Sequence, residues 1–183
     1  MTRIAKYRVY GLALAAIIFI LDQGLKAYVT GPLNLREERV IELIPFFDLR
    51  WTQNYGVSLG MFEATSIEMR WALVLVTAAI ACVVTVWMLR EKLLGDIIAL
   101  AMILGGALGN IVDRYSLGYV IDYADLHFGE FRPFLIFNLA DAAITIGVVI
   151  ILVRAFFVRQ NDDVAKASAK DDTPTHAPRG AEN

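Results

Sequence analysis

F-L-I-F-N-L-A-D-A-A-I-T-I-G-V-V-I-I-L-V-R-A-F-F, residues 134–157, is an apolar run interrupted near its start by Asn138 and Asp141 and near its end by Arg154. A spanning helix needs about 20 predominantly apolar residues, so the stretch reads as a membrane span. A carboxylate inside such a span costs several kcal/mol unless something there requires it. A second aspartate, Asp122, lies a short loop upstream in Y-V-I-D-Y, residues 119–123. Carboxylates brought together at a membrane rim predict acid–base chemistry on a substrate that arrives through the lipid.

The composition agrees with a membrane protein. Hydrophobic residues make up 57% of the 183-residue chain, against ~45–50% in soluble domains, and the mean hydropathy is +0.55. Four segments approach spanning length, at about Val9–Val29, Trp71–Leu89, Leu93–Val112 and Phe134–Phe157. Arg3, Lys6 and Arg8 precede the first, as in a secretory signal. That segment is too long for one, however, and no small-residue cleavage site follows Val29, so it reads as a retained span. The expected fold is an all-α membrane bundle of four transmembrane helices with a small β-rich region at the outer membrane face. Residues 1–159 form the membrane domain, including a β-rich outer loop at 30–69, and 160–183 form a disordered cytoplasmic tail. That tail lacks hydrophobic periodicity, and its five acids against three bases account for the net charge of −2. No basic stripe offers a nucleic-acid footprint. The single cysteine, Cys82, falls inside an apolar run and excludes disulfides and cysteine metal sites.

Orientation follows the Lys/Arg bias. One side carries Arg3, Lys6 and Arg8, then Arg90 and Lys92, then Arg154 and Arg159. The other side carries Arg36, Arg39, Arg50, Arg70, Arg114 and Arg132, diluted by Glu37, Glu38, Glu42, Asp48, Glu63 and Glu68. This favours both termini in the cytoplasm and the longer loops outside. In the first outer loop Gly31-Pro32 breaks the helix. After Pro45, Phe47, Leu49 and Trp51 alternate with Asp48, Arg50 and Thr52. Period-two alternation with aromatics reads as a half-buried strand, and Gly56 and Gly60 mark turns or close backbone approach.

The polar residues within the spans fall at one depth. Asp22 and Lys26 stand at i, i+4 on one helix face. Asp22 lies roughly 10 Å below the exit at Val29 at 1.5 Å rise per residue. Asn110, Asp113 and Arg114 close the third span, and Asn138 and Asp141 lie about 10 Å below the start of the fourth by the same rise. Lys26 with Asp22, and Arg114 with Asp113, are the neutralising pairs this spacing allows. Interhelical hydrogen bonds and snorkelling charges are the structural alternative. A proton-coupled transporter using Asp22, Lys26 and Asp141 is a functional one, but the inner halves of the spans are almost wholly apolar.

G-V-S-L-G at Gly56–Gly60 matches G-x-S-x-G and would make Ser58 the nucleophile of a serine-type membrane protease. The pattern needs a sharp strand-to-helix turn and a positioned histidine. The histidines are His127 in the second outer loop and His176 in the tail. A lone His127 without a cysteine, second histidine or suitably spaced acid is a poor metal ligand. There is no D-[ST]-G, and Gly95-Asp96 lacks the earlier glycine of G-x-G-D.

Taken together, the motifs resemble one family closely, the lipoprotein signal peptidases or signal peptidase II. The resemblance covers about residues 10–157. It rests on Asp22-Gln23 with Lys26, N-Y-G-V-S-L-G-M-F at Asn54–Phe62 and G-N-I-V-D-R at Gly109–Arg114. V-I-D-Y at Val120–Tyr123 and F-N-L-A-D-A at Phe137–Ala142 complete it. It implies an aspartic endopeptidase of the bacterial inner membrane, with catalytic carboxylates at Asp122 and Asp141. It also implies supporting polar residues at Asp22, Lys26, Asn54, Asn110, Arg114 and Asn138. The implied substrate is a prolipoprotein cleaved just before a diacylglyceryl-modified cysteine, presented in membrane lipid, with no metal or organic cofactor. Tyr123 stands where the family often has Phe, Ser58-Leu59 where Ala-Phe is common, and Leu135-Ile136 replaces a Pro-containing approach to F-N. These departures touch pocket shape and remove no catalytic group. On this reading Ser58→Ala retains substantial proteolysis and serine-directed reagents do not inactivate the protein. Loss comparable to that of Asp141→Asn, with covalent labelling at Ser58, would establish the serine mechanism instead.

Overall fold

The computed structural model describes residues 2–56 and 67–171, with side chains described as far as residue 157. The chain runs α1 (Arg3–Thr30), α2 (Leu35–Glu38), β1 (Val40–Ile44), β2 (Phe47–Asn54), α3 (Ile67–Arg90), α4 (Leu94–Leu117), β3 (Val120–Leu126) and α5 (Leu139–Asp171). α1, α3, α4 and residues 139–157 of α5 are each long and apolar enough to cross a membrane. Ser58 and Gly60 lie outside the described residues.

α4 is the central helix. Half of its most apolar window is buried inside the protein, against 11% for α1, 22% for α3 and 17% for α5. The other three therefore turn apolar side chains such as Ile20, Leu75, Val83 and Leu152 outward, as helices solvated by lipid do. Their association cannot draw on the hydrophobic effect and relies on close packing. Glycine supplies it. A Cβ on Gly105 would meet the Ala15 carbonyl oxygen of α1 at 2.6 Å, and one on Gly106 would overlap the Ala140 carbonyl oxygen of α5. Gly147 of α5 faces the Ala99 carbonyl oxygen in the same way, at 2.6 Å. Beside these contacts Ala15, Ala81, Val84, Met88, Ile97, Leu100, Ala101 and Leu104 form one apolar core.

The sheet crowns one end of the bundle. It is antiparallel in the order β1-β2-β3. β2 is the strand expected from the Phe47–Trp51 alternation, although Asp48 is buried as well as Trp51. His127 Nε2 lies 3.0 Å from the Asp48 carboxylate, so that histidine is tied to the sheet. β3 was expected only as loop. Its V-I-D-Y-A-D-L sequence is buried from Val120 to Asp125, and acids buried in a strand erase the apolar alternation that reveals one. Asp125 is satisfied by Arg50 Nε at 2.8 Å and Arg132 Nε at 3.2 Å. A bulge between Leu49 and Thr52 resets the β2–β3 register, so that Thr52 faces Asp122 and Asn54 faces Val120.

Both ends of α5 differ from expectation. α5 begins at Leu139 and not near Phe134, because Phe137 stays extended and pairs with Ala124 of β3. Asn138 and Asp141 thus occupy the first turn of the helix and do not lie about two turns inside it. At the other end α5 continues to Asp171, so residues 160–171 are helical where no regular structure was expected. Alanine and lysine at Ala165, Lys166, Ala167, Ala169 and Lys170 carry high intrinsic helix propensity, which a search for apolar periodicity overlooks.

α3 and α4 are joined by a turn in which Glu91 Oε1 accepts from Lys92 N and Leu93 N. Near that end Arg154 of α5 pairs with Asp96 of α4. At the sheet end Arg70 of α3 donates to the carbonyl oxygens of Arg114, at 2.8 Å, and Tyr115, closing the C-terminus of α4. Gly118, at φ +87°, ends that helix.

Packing at Gly106 has no slack, whereas a Cβ on Gly24 would meet nothing within 4 Å. Gly106→Ala is expected to destabilise the bundle by about 1–3 kcal/mol, and Gly24→Ala to leave it unchanged or gain about 0.5–1 kcal/mol of helix propensity. Thermal unfolding of the two variants in detergent checks the contrast.

Candidate active site

The first turn of α5 is where the fold must solve its hardest local problem. The first four N–H groups of a helix have no intrahelical acceptor, and a buried N–H left unpaired costs about as much as a lost hydrogen bond. Here each finds a different partner. Asn138 N donates to Asp141 Oδ2 at 3.3 Å and Asp141 N to Asn138 Oδ1 at 2.9 Å. This is a reciprocal capping box built from Asn and Asp. Leu139 N donates to the Tyr123 hydroxyl at 3.3 Å, and Ala140 N to Asp22 Oδ1 of α1 at 3.0 Å. The intrahelical ladder then begins with Ala142 N to Asn138 O at 3.2 Å.

Asp22 reaches across because Gly109 leaves room, since a Cβ on Gly109 would overlap Asp22 Oδ2. Asp22 is fully buried, and so is nearly all of Lys26. Lys26 Nζ lies 2.7 Å from Asp22 Oδ2, 2.8 Å from Asp113 Oδ2 and 3.3 Å from Asn110 Oδ1. Its three ammonium hydrogens are thereby all used. The expected Asp22–Lys26 pair is present. Asp113, however, pairs with Lys26 rather than with Arg114, and also accepts from Gln23 Nε2 at 3.0 Å and Ile121 N at 3.2 Å. The i, i+1 spacing of Asp113 and Arg114 points their side chains around the helix in different directions.

Asp122 and Asp141 are brought together through asparagines. Asn138 Nδ2 donates to Asp122 Oδ1 at 2.7 Å, and Asn54 Nδ2 to Asp122 Oδ2 at 3.0 Å. Asn110 Nδ2 donates to Asp141 Oδ1 at 2.7 Å. Asn54 also accepts from Gly56 N at 2.8 Å, which fixes its amide orientation. Asp122 is 1% exposed and Asp141 half-buried. Burial, and then the neighbouring Asp141 charge, push the Asp122 carboxyl up to about 7, against the opposing hydrogen bonds from Asn54 and Asn138 and the charge of Lys26. Arg114 completes the group. Its Nε is buried with no hydrogen-bond partner among the described residues, and a Cβ on Gly56 would sit 3.7 Å from it.

All eight site residues singled out in the sequence therefore fall in one cluster at the junction of bundle and sheet. Sequence reasoning gave no role to Gln23 or to the Tyr123 hydroxyl. Gln23 sits between two acids that only the folded helices bring together, and a tyrosine in an apolar strand reads as an aromatic. A cavity of about 400 Å³ is lined by residues that include Gln23, Lys26, Arg36, Trp51, Asp113 and Ile121. Neither Asp122 nor Asp141 borders it.

Removing the Lys26 charge would strand Asp22 and Asp113 in the interior. Lys26→Met is expected to cost about 3–5 kcal/mol of stability, measured as a fall in the unfolding midpoint of the purified protein in detergent.

Comparisons with known proteins identify the family. Residues 14–157 match the model of the family described as signal peptidase (SPase) II, peptidase family A8. A lipoprotein signal peptidase of Sphingopyxis alaskensis is 52% identical over 166 residues, covering 91% of this chain and 96% of its own. One from Rhizorhabdus wittichii is 53% identical over 154 residues, covering 84% and 90%. Among solved structures, a bacterial membrane enzyme determined by the in meso method superposes with a TM-score of 0.72 at 25% identity, covering 83% of this chain and 90% of that one. A second superposes with a TM-score of 0.69 at 26% identity. The chain is thus a multi-pass membrane protease of the signal peptidase II family, an aspartic peptidase family.

Proposed function

We propose that this chain removes signal peptides from lipid-modified prolipoproteins, cutting just before the diacylglyceryl cysteine, with Asp122 and Asp141 as its catalytic pair. The observation that carries the assignment is the Asn138 bridge. One residue caps the helix that bears Asp141 and donates to Asp122 at 2.7 Å.

Charge accounting supports a shared proton. Asp22, Asp113, Asp122 and Asp141 surround two cations, Lys26 and Arg114, and Lys26 is already divided between Asp22 and Asp113. One proton on the remaining pair leaves a single carboxylate opposite Arg114. Burial and the Asp141 charge both favour that proton on Asp122. Asp141 sits at the positive end of the α5 dipole and faces the Asn110 amide and the Asn138 N–H.

The mechanism follows from these roles. Asp141 takes a proton from a water molecule as its oxygen attacks the scissile carbonyl carbon, and Asp122 gives its proton to the carbonyl oxygen. In the second step the carbon–nitrogen bond breaks as the leaving cysteine nitrogen takes up the proton held by Asp141, a hydroxyl of the tetrahedral gem-diol returns its proton to Asp122, and the pair is back in its starting state with one proton. The unspent Arg114 Nε–H is a donor for a substrate carbonyl, and Asn54 and Asn110 hold the carboxylates in place. Asp22 and Lys26 fix α5 and do not meet the substrate.

We place the protein in the bacterial cytoplasmic membrane with both termini inside and the sheet end outside. The Lys/Arg bias supports this orientation. Trp71, Tyr115, Tyr55 and Tyr119, in ring contacts at the sheet end, suit a membrane–water interface at that end. A precursor's signal helix and acyl chains then stay in lipid while the scissile bond meets the carboxylates at the rim. Residues 1–159 are the catalytic unit.

Purified protein in detergent is expected to cleave a diacylglyceryl-modified precursor and to leave the unmodified one intact. Asp122→Asn and Asp141→Asn should each lower cleavage by about 10²–10⁴-fold while leaving expression and folding nearly intact. The profile of kcat/KM against pH should be bell-shaped, falling as pH rises through about 7, where Asp122 loses its proton. Appreciable turnover by either Asn variant would sink the pair assignment.

A further inference from the structure

We propose that Tyr123 is a positioning residue that sets the separation of the two carboxylates, by holding the first turn of α5 through its hydroxyl. The inference rests on the catalytic assignment above and adds a residue to it.

Tyr123 follows Asp122 directly in β3 and touches the start of α5 at two points. Its backbone N–H donates to Phe137 O at 3.1 Å, and its hydroxyl accepts from Leu139 N at 3.3 Å. These contacts bracket Asn138, the residue whose amide donates to Asp122 and whose Oδ1 caps Asp141. Asp122 and Asp141 are therefore connected by a closed path of strand, phenol ring, helix turn and amide. The backbone contact holds the chain just before the turn, and Asp22 of α1 holds Ala140 N. The hydroxyl contact lies on the far side of Asn138 and ties the turn directly to the strand that carries Asp122.

The ring itself packs in the apolar cluster with Val29, Leu35, Trp51, Ile121 and Ala124. Tyr123 is 7% exposed, so water has little room to replace its hydroxyl. Phenylalanine would keep the packing and lose only the acceptor, leaving Leu139 N–H without its partner. That makes Tyr123→Phe a clean probe of the hydroxyl.

The charged groups around the pair are Asp22 and Lys26 of α1, Asp113 and Arg114 of α4, and the carboxylates themselves. None of them changes in the variant. If the turn loosens, water enters and the carboxylates move apart. Both effects weaken what retains the Asp122 proton, so the pair loses it at lower pH.

The test measures kcat and KM across pH for wild type, Tyr123→Phe, Asp122→Asn and Asp141→Asn, using purified full-length protein and a lipidated precursor. For Tyr123→Phe we expect kcat to fall about three- to tenfold with KM unchanged, the scale of one lost hydrogen bond, and the basic limb to move to lower pH. A basic limb that stays in place overturns the proposal, whatever happens to kcat or thermal stability, because the hydroxyl would then serve only the fold. If an Asp→Asn variant still cleaves, the catalytic pair fails and the proposal fails with it. If both Asp→Asn variants are inactive and the Tyr123→Phe limb is unmoved, only the role of Tyr123 is lost.

Discussion

A helix that starts within a membrane domain must place its unpaired N–H groups somewhere, and this structure is arranged around that requirement. The first turn of α5 draws acceptors from its own Asn138 and Asp141, from Asp22 of α1 and from Tyr123 of β3. Each acceptor brings further needs. Asp22 needs a counter-charge, which Lys26 supplies, and Lys26 needs more than one acceptor, which Asp113 and Asn110 supply. An unmet amide in hydrocarbon costs several kcal/mol, so α1, α4, β3 and α5 are linked by polar satisfaction at this level. Elsewhere in the bundle glycine-mediated packing holds the helices together.

The same network separates two electrostatic compartments. Around Lys26 one buried ammonium serves two buried carboxylates, which suits a scaffold. Around Asp122 and Asp141 the donors are mostly neutral amides, and the nearby cation, Arg114, keeps a donor in reserve. Buried ion pairs lose much of their attraction to desolvation, so the first compartment contributes less to net stability than its short distances imply. Its effect is to fix one arrangement of the helices.

Much of this was legible in the sequence, for identifiable reasons. The four spans show because nothing but a membrane tolerates runs such as Trp71–Leu89, and β2 shows because Phe47, Leu49 and Trp51 alternate. The polar cluster shows because charged residues are scarce in such runs, so each one stands out. β3 did not show, since Asp122 and Asp125 interrupt its apolar residues and their partners, Asn54, Asn138, Arg50 and Arg132, are distant in sequence. The start of α5 was misplaced because Phe134–Phe137 is as apolar as the helix that follows, and only pairing with Ala124 reveals that it is extended. Hydropathy measures the solvent a segment prefers and not the backbone conformation it takes there. Gly105 and Gly109 do stand at the spacing of a small-residue helix contact, a signal present in the sequence that hydropathy alone passes over.

The side chains that grip Asp122 and Asp141 are the carboxamides of Asn54, Asn110 and Asn138. A carboxamide neither gains nor loses a proton across the range in which proteins work. Histidine or lysine in those places would make the grip itself vary with acidity, so that occupancy of the carboxylates and integrity of their setting would change together. Amides separate the two. Protons can come and go on the carboxylates while the cradle presents the same donors, which is what a site needs if it is to change protonation state twice in every turnover and return each time to the same shape.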